Sequence, residues 1–149
     1  MHWAVQEECV RLLIKNGANI KMRTFSCATP LYIACGEGNA KLADYLIQQG
    51  ANVNEQVGQD DKTTPMMLAS MYNYLQVVEV FLKYEGDMEI KDEEGKIALF
   101  HAAKTDSKEI IKLLLKKGAK KTIVSKSGKK LTDILNGDQN NNNMDFEGA

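Results

Sequence analysis

Hydrophobic and polar positions follow a pattern that recurs along this chain. A run of two apolar residues, one polar residue and three apolar residues appears four times, at 9–14, 42–47, 77–82 and 110–115. The last residues of these runs lie 33, 35 and 33 positions apart. Apolar residues at this spacing form the buried stripe of an amphipathic helix. The sequence therefore predicts one such helix in each of four repeats.

A shorter apolar segment precedes three of these runs at a matching distance. It reads TPLYIA from residue 29, TPMMLA from residue 64 and IALFHA from residue 97. A threonine before a helix can accept its first free N–H groups, and proline fits the first helical position. The third copy has Ile97 and Ala98 in place of this pair, so we expect it to lack the cap. Each repeat thus holds a short helix, a turn and a second helix.

Glycine is expected to end three of the second helices in a left-handed conformation, at Gly17, Gly50 and Gly118. The remaining repeat has Glu85 at this position and Gly86 one residue later. A left-handed glutamate costs about 1–2 kcal/mol unless the loop shifts onto the glycine. This defect and the missing cap both fall between the third and fourth repeats, so the sequence predicts that this junction opens first.

The arrangement resembles the ankyrin repeat, whose signature T-P-L-H-x-A recurs at a period of about 33 residues. The resemblance implies an all-α solenoid of stacked antiparallel helix pairs, with β-hairpin finger loops along one edge. The repeats cover residues 1–20, 24–56, 59–91 and 92–124, and a half-repeat at 125–135 caps the array. The Asn-rich tail at 136–149 is expected to be disordered.

Two repeats depart from the regular length. The first is three residues short at the turn between its helices, so either this turn is very tight or residues 3–16 form one continuous helix. We also expect the chain to be cut from a longer array, because an exposed first repeat needs a polar cap. The finger between the second and third repeats holds two extra residues near Gly58.

Composition indicates one soluble domain, with 44% hydrophobic residues, 26% charged residues and a formal net charge of −1. Three cysteines cannot all pair within the chain, which favours a reducing compartment, and we expect a cytoplasmic protein with the nucleus as the alternative. The small net charge conceals a segregation. Residues 55–94 hold ten acids and three lysines, whereas residues 104–130 hold ten lysines and two acids.

Residues typical of catalysis or metal binding do not form a recognisable motif. The cysteines lack the paired spacing of a metal site, and His101 falls at an inward helix position where a satisfied core or subsurface histidine is expected. The acids at 92–94 are interpreted as solvated loop residues. We therefore expect no enzymatic activity, no catalytic residue, no cofactor and no metal.

Solenoids of this kind present an extended concave surface to protein partners. The resemblance places candidate partner-binding residues on the fingers and at the turns between paired helices: Arg23, Phe25 and Ser26 on the first finger, Asp60, Asp61 and Thr63 on the second, Glu93, Glu94 and Lys96 on the third, and Glu37, Met71, Tyr72, Lys104 and Thr105 at the turns. We expect a monomer that binds a protein, with no small-molecule substrate and no membrane contact.

Two alternatives remain open. The chain could be one stretch of a longer multidomain ankyrin protein, in which the array is a scaffold for a domain elsewhere. The lysine-rich repeats near the C-terminus could instead make nonspecific contacts to nucleic acid. This second alternative is weaker, because residues 104–130 contain no arginine, the preferred reader of phosphates and bases.

Overall fold

The computed structural model describes residues 3–58 and 60–142, with side chains described at 7–58 and 60–137. Within this part of the chain there are eight α-helices: α1 (Trp3–Lys15), α2 (Pro30–Gly36), α3 (Ala40–Gln48), α4 (Pro65–Met71), α5 (Leu75–Lys83), α6 (Ala98–Lys104), α7 (Lys108–Lys116) and α8 (Leu131–Asn142). Helices α2 and α3, α4 and α5, and α6 and α7 form pairs, each joined by a short turn. The predicted all-α repeat solenoid is confirmed.

The helix pairs stack side by side in two rows. An inner row is formed by α2, α4, α6 and α8, which pack against one another in that order. An outer row is formed by α3, α5 and α7, each of which also packs against its inner partner. One apolar cluster runs through both rows from Leu31 to Leu135 and contains the fully buried rings of Phe81 and Phe100. The small side chain of Cys35 is fully buried in this core.

The starts of the inner helices follow the sequence closely. The hydroxyl groups of Thr29 and Thr64 each accept the backbone N–H of the residue three positions later, at 3.2 Å. Helix α6 begins after Ile97, which forms no side-chain cap. Ile97 is instead fully buried, so an apolar anchor takes the place of the polar cap. Both the two threonine caps and the missing third cap are confirmed.

The second helices end in left-handed residues at every predicted position. Gly17, Gly50 and Gly118 have φ angles of +91°, +102° and +96°, and Glu85 has +59°. The loop therefore does not shift onto Gly86. A Cβ atom at Gly86 would lie 2.9 Å from the carbonyl oxygen of Phe81, so this glycine is needed for close backbone approach.

Helix α1 is continuous, which decides between the two alternatives for the first repeat. Val10 and Ile14 pack against the core, while Leu12 and Leu13 are 57% and 60% exposed. The guanidinium of Arg11 lies 4.1 Å from the centre of the Tyr45 ring, and its Nη2 donates to Glu7 at 2.7 Å. Helix α1 is thus attached to the array along one narrow face.

The loops between repeats form four fingers, at residues 19–28, 52–63, 87–96 and 120–130. Within the described residues they contain no extended strand, and the expected hairpins are reduced to short turns. Two of them close with an isolated antiparallel bridge, between Val57 and Thr63 and between Val124 and Lys130. The fingers are short because each must turn back within a few residues to begin the next helix.

The C-terminal helix is longer than the sequence predicts. Leu131 and Leu135 cap the core as expected, but α8 continues to Asn142 instead of ending near residue 135. Once a helix has formed its first turns, each further residue adds one hydrogen bond, so a helix begun by the buried Leu131 and Leu135 can continue past residue 135. Residues 143–149 lie outside the described residues, so disorder there stays a prediction. None of the described helices is long and apolar enough to cross a membrane.

Candidate functional site

A groove of about 380 Å³ lies between the second and third fingers and reaches the C-terminal ends of α4 and α6. We call it the central groove. Nine of the candidate partner-binding residues line it: Asp61, Thr63, Met71, Tyr72, Glu93, Glu94, Lys96, Lys104 and Thr105. Asp92 and His101 complete the lining. Residues separated by more than forty positions in the sequence thus share one concavity.

The second finger forms one wall of the central groove. Val57 and Thr63 exchange backbone hydrogen bonds of 2.8 and 2.9 Å, which close the base of the finger. Gly58 has a φ angle of +94°, as this turn requires. The buried Val57 side chain anchors the finger, so Asp61 projects from a fixed base. Gln59, within the predicted two-residue insertion, lies outside the described residues.

The third finger also lines the central groove and is organised by Asp92. Its Oδ1 accepts the backbone N–H groups of Glu94 and Lys96, both at 2.9 Å. Its Oδ2 lies 2.8 Å from Nε2 of His101 on α6. The side chain of Asp92 is only 9% exposed. The expectation of a solvated loop acid is therefore wrong for Asp92, because the carboxylate holds the finger together.

His101 is a satisfied subsurface residue, as the sequence predicts. Burial lowers the pKa of His101, and the positive charges of Lys96 and Lys104 act in the same direction. The hydrogen bond and negative charge of Asp92 oppose this shift without overcoming it. The ring is therefore neutral at pH 7. Because an ionised carboxylate only accepts hydrogen bonds, Nε2 carries the proton and donates to Asp92.

The charges on the third finger are largely compensated. Lys62 Nζ lies 3.0 Å from Glu93 Oε2, and Lys96 forms an ion pair with Glu94. These hydrogen-bonded lysines lower the pKa of both carboxyl groups. Among the described residues, neither Asp60 nor Asp61 forms an ion pair. Asp92 is hydrogen-bonded to His101 and nearly buried, so of these acids the exposed carboxylates without an ion pair lie on the second finger.

An exposed apolar and aromatic surface lies beside these acids. Tyr72 is 57% exposed, and its ring centre lies 5.9 Å from that of Tyr74 in a tilted arrangement. Met71, its neighbour at the end of α4, is also exposed. Burial raises the pKa of Tyr32, and the nearby Asp61 and Tyr72 raise it further. Asp61 and Tyr72 both line the central groove.

Thr105 lines the groove but directs its hydroxyl into the protein. The hydroxyl donates to the carbonyl oxygen of His101 at 3.1 Å and reaches that of Ser70 on α4 at 3.3 Å. It therefore joins the third and fourth repeats. The methyl group is the part of this side chain left for a ligand.

Five candidate residues are not part of the central groove. Arg23, Phe25 and Ser26 lie on the first finger, where the Phe25 ring is fully exposed and the Ser26 hydroxyl bonds to that of Thr24. Glu37 lies in the turn between α2 and α3, and Asp60 is exposed on the second finger. The sequence did not assign Asp92 and His101 to the site. An aspartate placed before a Glu-Gly turn was the signal that could have found the first of them.

The family model for ankyrin repeats, in three copies, matches residues 1–57 and 54–125. The chain belongs to the ankyrin-repeat family. Ankyrin repeats are protein-interaction modules, and the concave groove between two ankyrin fingers is in keeping with that role.

Individual relatives are similar over part of their length. An ankyrin repeat protein of fowlpox virus, FPV031, is 34% identical over 114 residues, covering 72% of this chain and 33% of the relative. Human ankyrin repeat and SOCS box protein 11 is 31% identical over 79% of this chain and 36% of its own length. Human protein phosphatase 1 regulatory subunit 27 is 42% identical over 50% of this chain and 46% of its own length. The ankyrin chain thus spans less than half of each of these relatives.

Proposed function

We propose that this chain is a non-catalytic adaptor or regulatory module that binds a protein partner through the central groove. The observation that carries this proposal is the convergence of two fingers and two helix ends around Met71 and Tyr72, which are both exposed. Methionine and tyrosine are enriched at the centres of protein interfaces. The names of a regulatory subunit and a SOCS box protein among the relatives support the same role.

The polar groups of the groove favour binding over catalysis. Both oxygens of Asp92 are engaged by the finger and by His101, so the pair is committed to holding the two elements together. A general base needs a free position toward its substrate. We further propose that the chain is a monomer in the cytoplasm or nucleus and takes no cofactor, metal or small-molecule substrate.

The test is capture of partners from extracts of the source cell with matched baits. The wild-type chain is compared with Met71→Ser/Tyr72→Ala in the groove and with Phe25→Ala/Glu79→Gln outside it. We expect a protein retained by the wild type and by the outside variant to be lost from the groove variant. Direct titration of that protein, once purified, should give an affinity at least tenfold lower for the groove variant, as loss of an interface anchor predicts.

Equal retention by all three baits would contradict a groove interface. Loss from the Phe25→Ala/Glu79→Gln bait alone would assign binding to the first finger or the outer row. Each bait must first show the helical circular dichroism and urea midpoint of the wild type. All of the replaced side chains are exposed, so we expect this condition to be met.

A second observation favours the alternative of a scaffold within a longer ankyrin protein. Next to α1, a mostly apolar recess of about 220 Å³ is lined by residues that include Leu13, Met22 and Ile33, which are all exposed. Stacked repeats bury such faces against a neighbouring repeat. We propose this N-terminal face as the surface on which another repeat would pack.

A further inference from the structure

The charge around the central groove is asymmetric. On the third finger, Glu93 and Glu94 are paired with lysines and Asp92 is bonded to His101. On the second finger, Asp61 is exposed and forms no ion pair with any described residue. Four acids and two lysines line the groove. A partner that places a positive charge at the second finger would therefore complement the groove without breaking an existing ion pair.

The Asp61 carboxylate shares the central groove with the ring of Tyr72. The Tyr72 side chain is 57% exposed, and its ring centre lies 5.9 Å from that of Tyr74. A cation over a tyrosine ring is attracted by the ring's negative face. A guanidinium can stack on the ring and at the same time donate two hydrogen bonds to a carboxylate, which a lysine ammonium cannot do with the same geometry.

The same chain uses this arrangement within its own fold. The guanidinium of Arg11 stacks over the ring of Tyr45 at 4.1 Å while its Nε and Nη2 donate to Glu7 at 2.9 and 2.7 Å. Tyrosine and carboxylate are thus sufficient to hold an arginine at a partly exposed site in this protein. Asp61 and Tyr72 bring the same two kinds of group to the central groove. No arginine is found among the described residues that line it.

We propose that the central groove receives an arginine from an extended segment of the protein partner, with its guanidinium between the Asp61 carboxylate and the Tyr72 ring. This inference rests on the proposed function and names the chemistry of the partner. An apolar residue next to the arginine packs on Met71. The arginine fixes the register of the segment, because Glu93 and Glu94 are already paired with lysines and Asp92 is bonded to its own finger and to His101.

The test uses a phage-displayed library of short random peptides as the probe. The folded full chain is the target, and sequencing compares clones retained by wild type with clones retained by Asp61→Asn. We expect arginine to be enriched beside an apolar residue in the wild-type pool and not in the Asp61→Asn pool. For the strongest peptide, fluorescence anisotropy should show about tenfold weaker binding by Asp61→Asn, and by Tyr72→Ala.

Matched variants distinguish a specific arginine site from a general effect of the protein's negative charge on peptide binding. Glu79→Gln removes one exposed carboxylate on α5, outside the groove, and should leave peptide affinity unchanged. Asp61→Glu should recover part of the lost affinity. Replacing the peptide's arginine by citrulline keeps the shape and removes the charge, so it should weaken binding to the wild type about tenfold and to Asp61→Asn much less.

The outcomes distinguish this inference from the proposed function. Peptides that need Met71 and Tyr72 but show no arginine preference would overturn the arginine site and leave the groove as an interface. Peptides that bind all variants equally, or a selection that yields no binder dependent on the groove, would contradict both. Equal weakening by Asp61→Asn and Glu79→Gln would reduce the effect to net charge and overturn the site.

Discussion

At the scale of single residues, left-handed positions show how tightly the repeat constrains its sequence. The turn between paired helices needs one such residue, and Gly38, Asn73 and Asp106 occupy it with φ angles of +73°, +59° and +53°. Glycine, asparagine and aspartate are the types that tolerate this conformation. A left-handed residue also ends the second helix of each repeat. This residue is glycine in three repeats, but it is Glu85 in the third repeat, and glutamate is not one of the tolerant types.

Replacing Glu85 by glycine should stabilise the protein. Glu85→Gly removes a left-handed residue with a side chain, and part of this gain is offset by the greater freedom of glycine in the unfolded chain. We expect the free energy of unfolding to rise by about 0.5–1 kcal/mol in urea titrations. As a control, Glu79→Gly in the middle of α5 should lower it by about 1 kcal/mol. A loss of stability in Glu85→Gly would mean that its side chain contributes to the fold.

Replacing Asp92 and Asp61 in turn tests whether these two finger acids contribute differently to stability, as their contacts indicate. Asp92→Ala removes two backbone hydrogen bonds and the bond to His101, so we expect it to lower the free energy of unfolding by about 2 kcal/mol. Asp61→Ala, on the neighbouring finger, should change stability by less than about 0.5 kcal/mol. Similar values for the two variants in urea titrations would contradict the structural role given to Asp92.

At the scale of helices and loops, local signals predicted most of the fold. The threonine caps, the glycine ends and the buried stripes depend on neighbours within one turn, so the sequence carries them directly. The burial of Asp92, the length of α8 and the lack of extended hairpins depend on contacts between elements or on helix propagation. Likewise, the fingers and turns were predicted as a set of residues, whereas their meeting in one groove needed the stacking geometry.

Stacking also changes which element is expected to open first. The sequence pointed to the junction of the third and fourth repeats, but there Ile97 is fully buried and the hydroxyls of Thr105 and Ser107 reach the carbonyl of Ser70. These contacts offset the missing cap. Helix α1, in contrast, has Leu12 and Leu13 in solvent and few buried contacts.

Hydrogen exchange can compare equivalent positions in the four outer helices. The second helix of each repeat has an equivalent backbone amide near its C-terminal end. These amides belong to Ile14, Ile47, Leu82 and Leu115. We expect Ile14 to exchange fastest, because α1 can detach without unfolding the rest of the array. Faster exchange at Leu82 than at Ile14 would instead support the weak junction inferred from the sequence.

At the scale of the whole molecule, the surface divides into regions of different chemistry. Acids gather around the second and third fingers, lysines cover the last full repeat, and an apolar face lies beside α1. Lys112 and Lys116 lie on the outer helix α7, whereas the central groove is lined by fingers and inner helices. A partner in the groove would therefore leave the lysine surface free, and an uneven field of this kind orients partners as they approach.

The apolar face beside α1 should cause weak self-association. We expect a monomer at low micromolar concentration and a growing larger species as the concentration rises, because exposed apolar surface associates. Leu12→Lys/Leu13→Lys should remain monomeric in sedimentation velocity experiments. Val124→Lys, which replaces a half-exposed apolar residue on the fourth finger, should behave as the wild type. Association that persists unchanged in Leu12→Lys/Leu13→Lys would exclude this face.

The fingers are tied to one another through their backbones. The N–H of Glu93 donates to the carbonyl of Asp61 at 3.0 Å, and that of Lys126 donates to Glu94 at 2.8 Å. The two fingers that line the central groove are thereby joined to each other before any partner arrives. The loss of conformational freedom on binding then falls almost entirely on the partner segment. Affinity should consequently respond more to stiffening that segment, by cyclisation or proline, than to any further ordering of the solenoid.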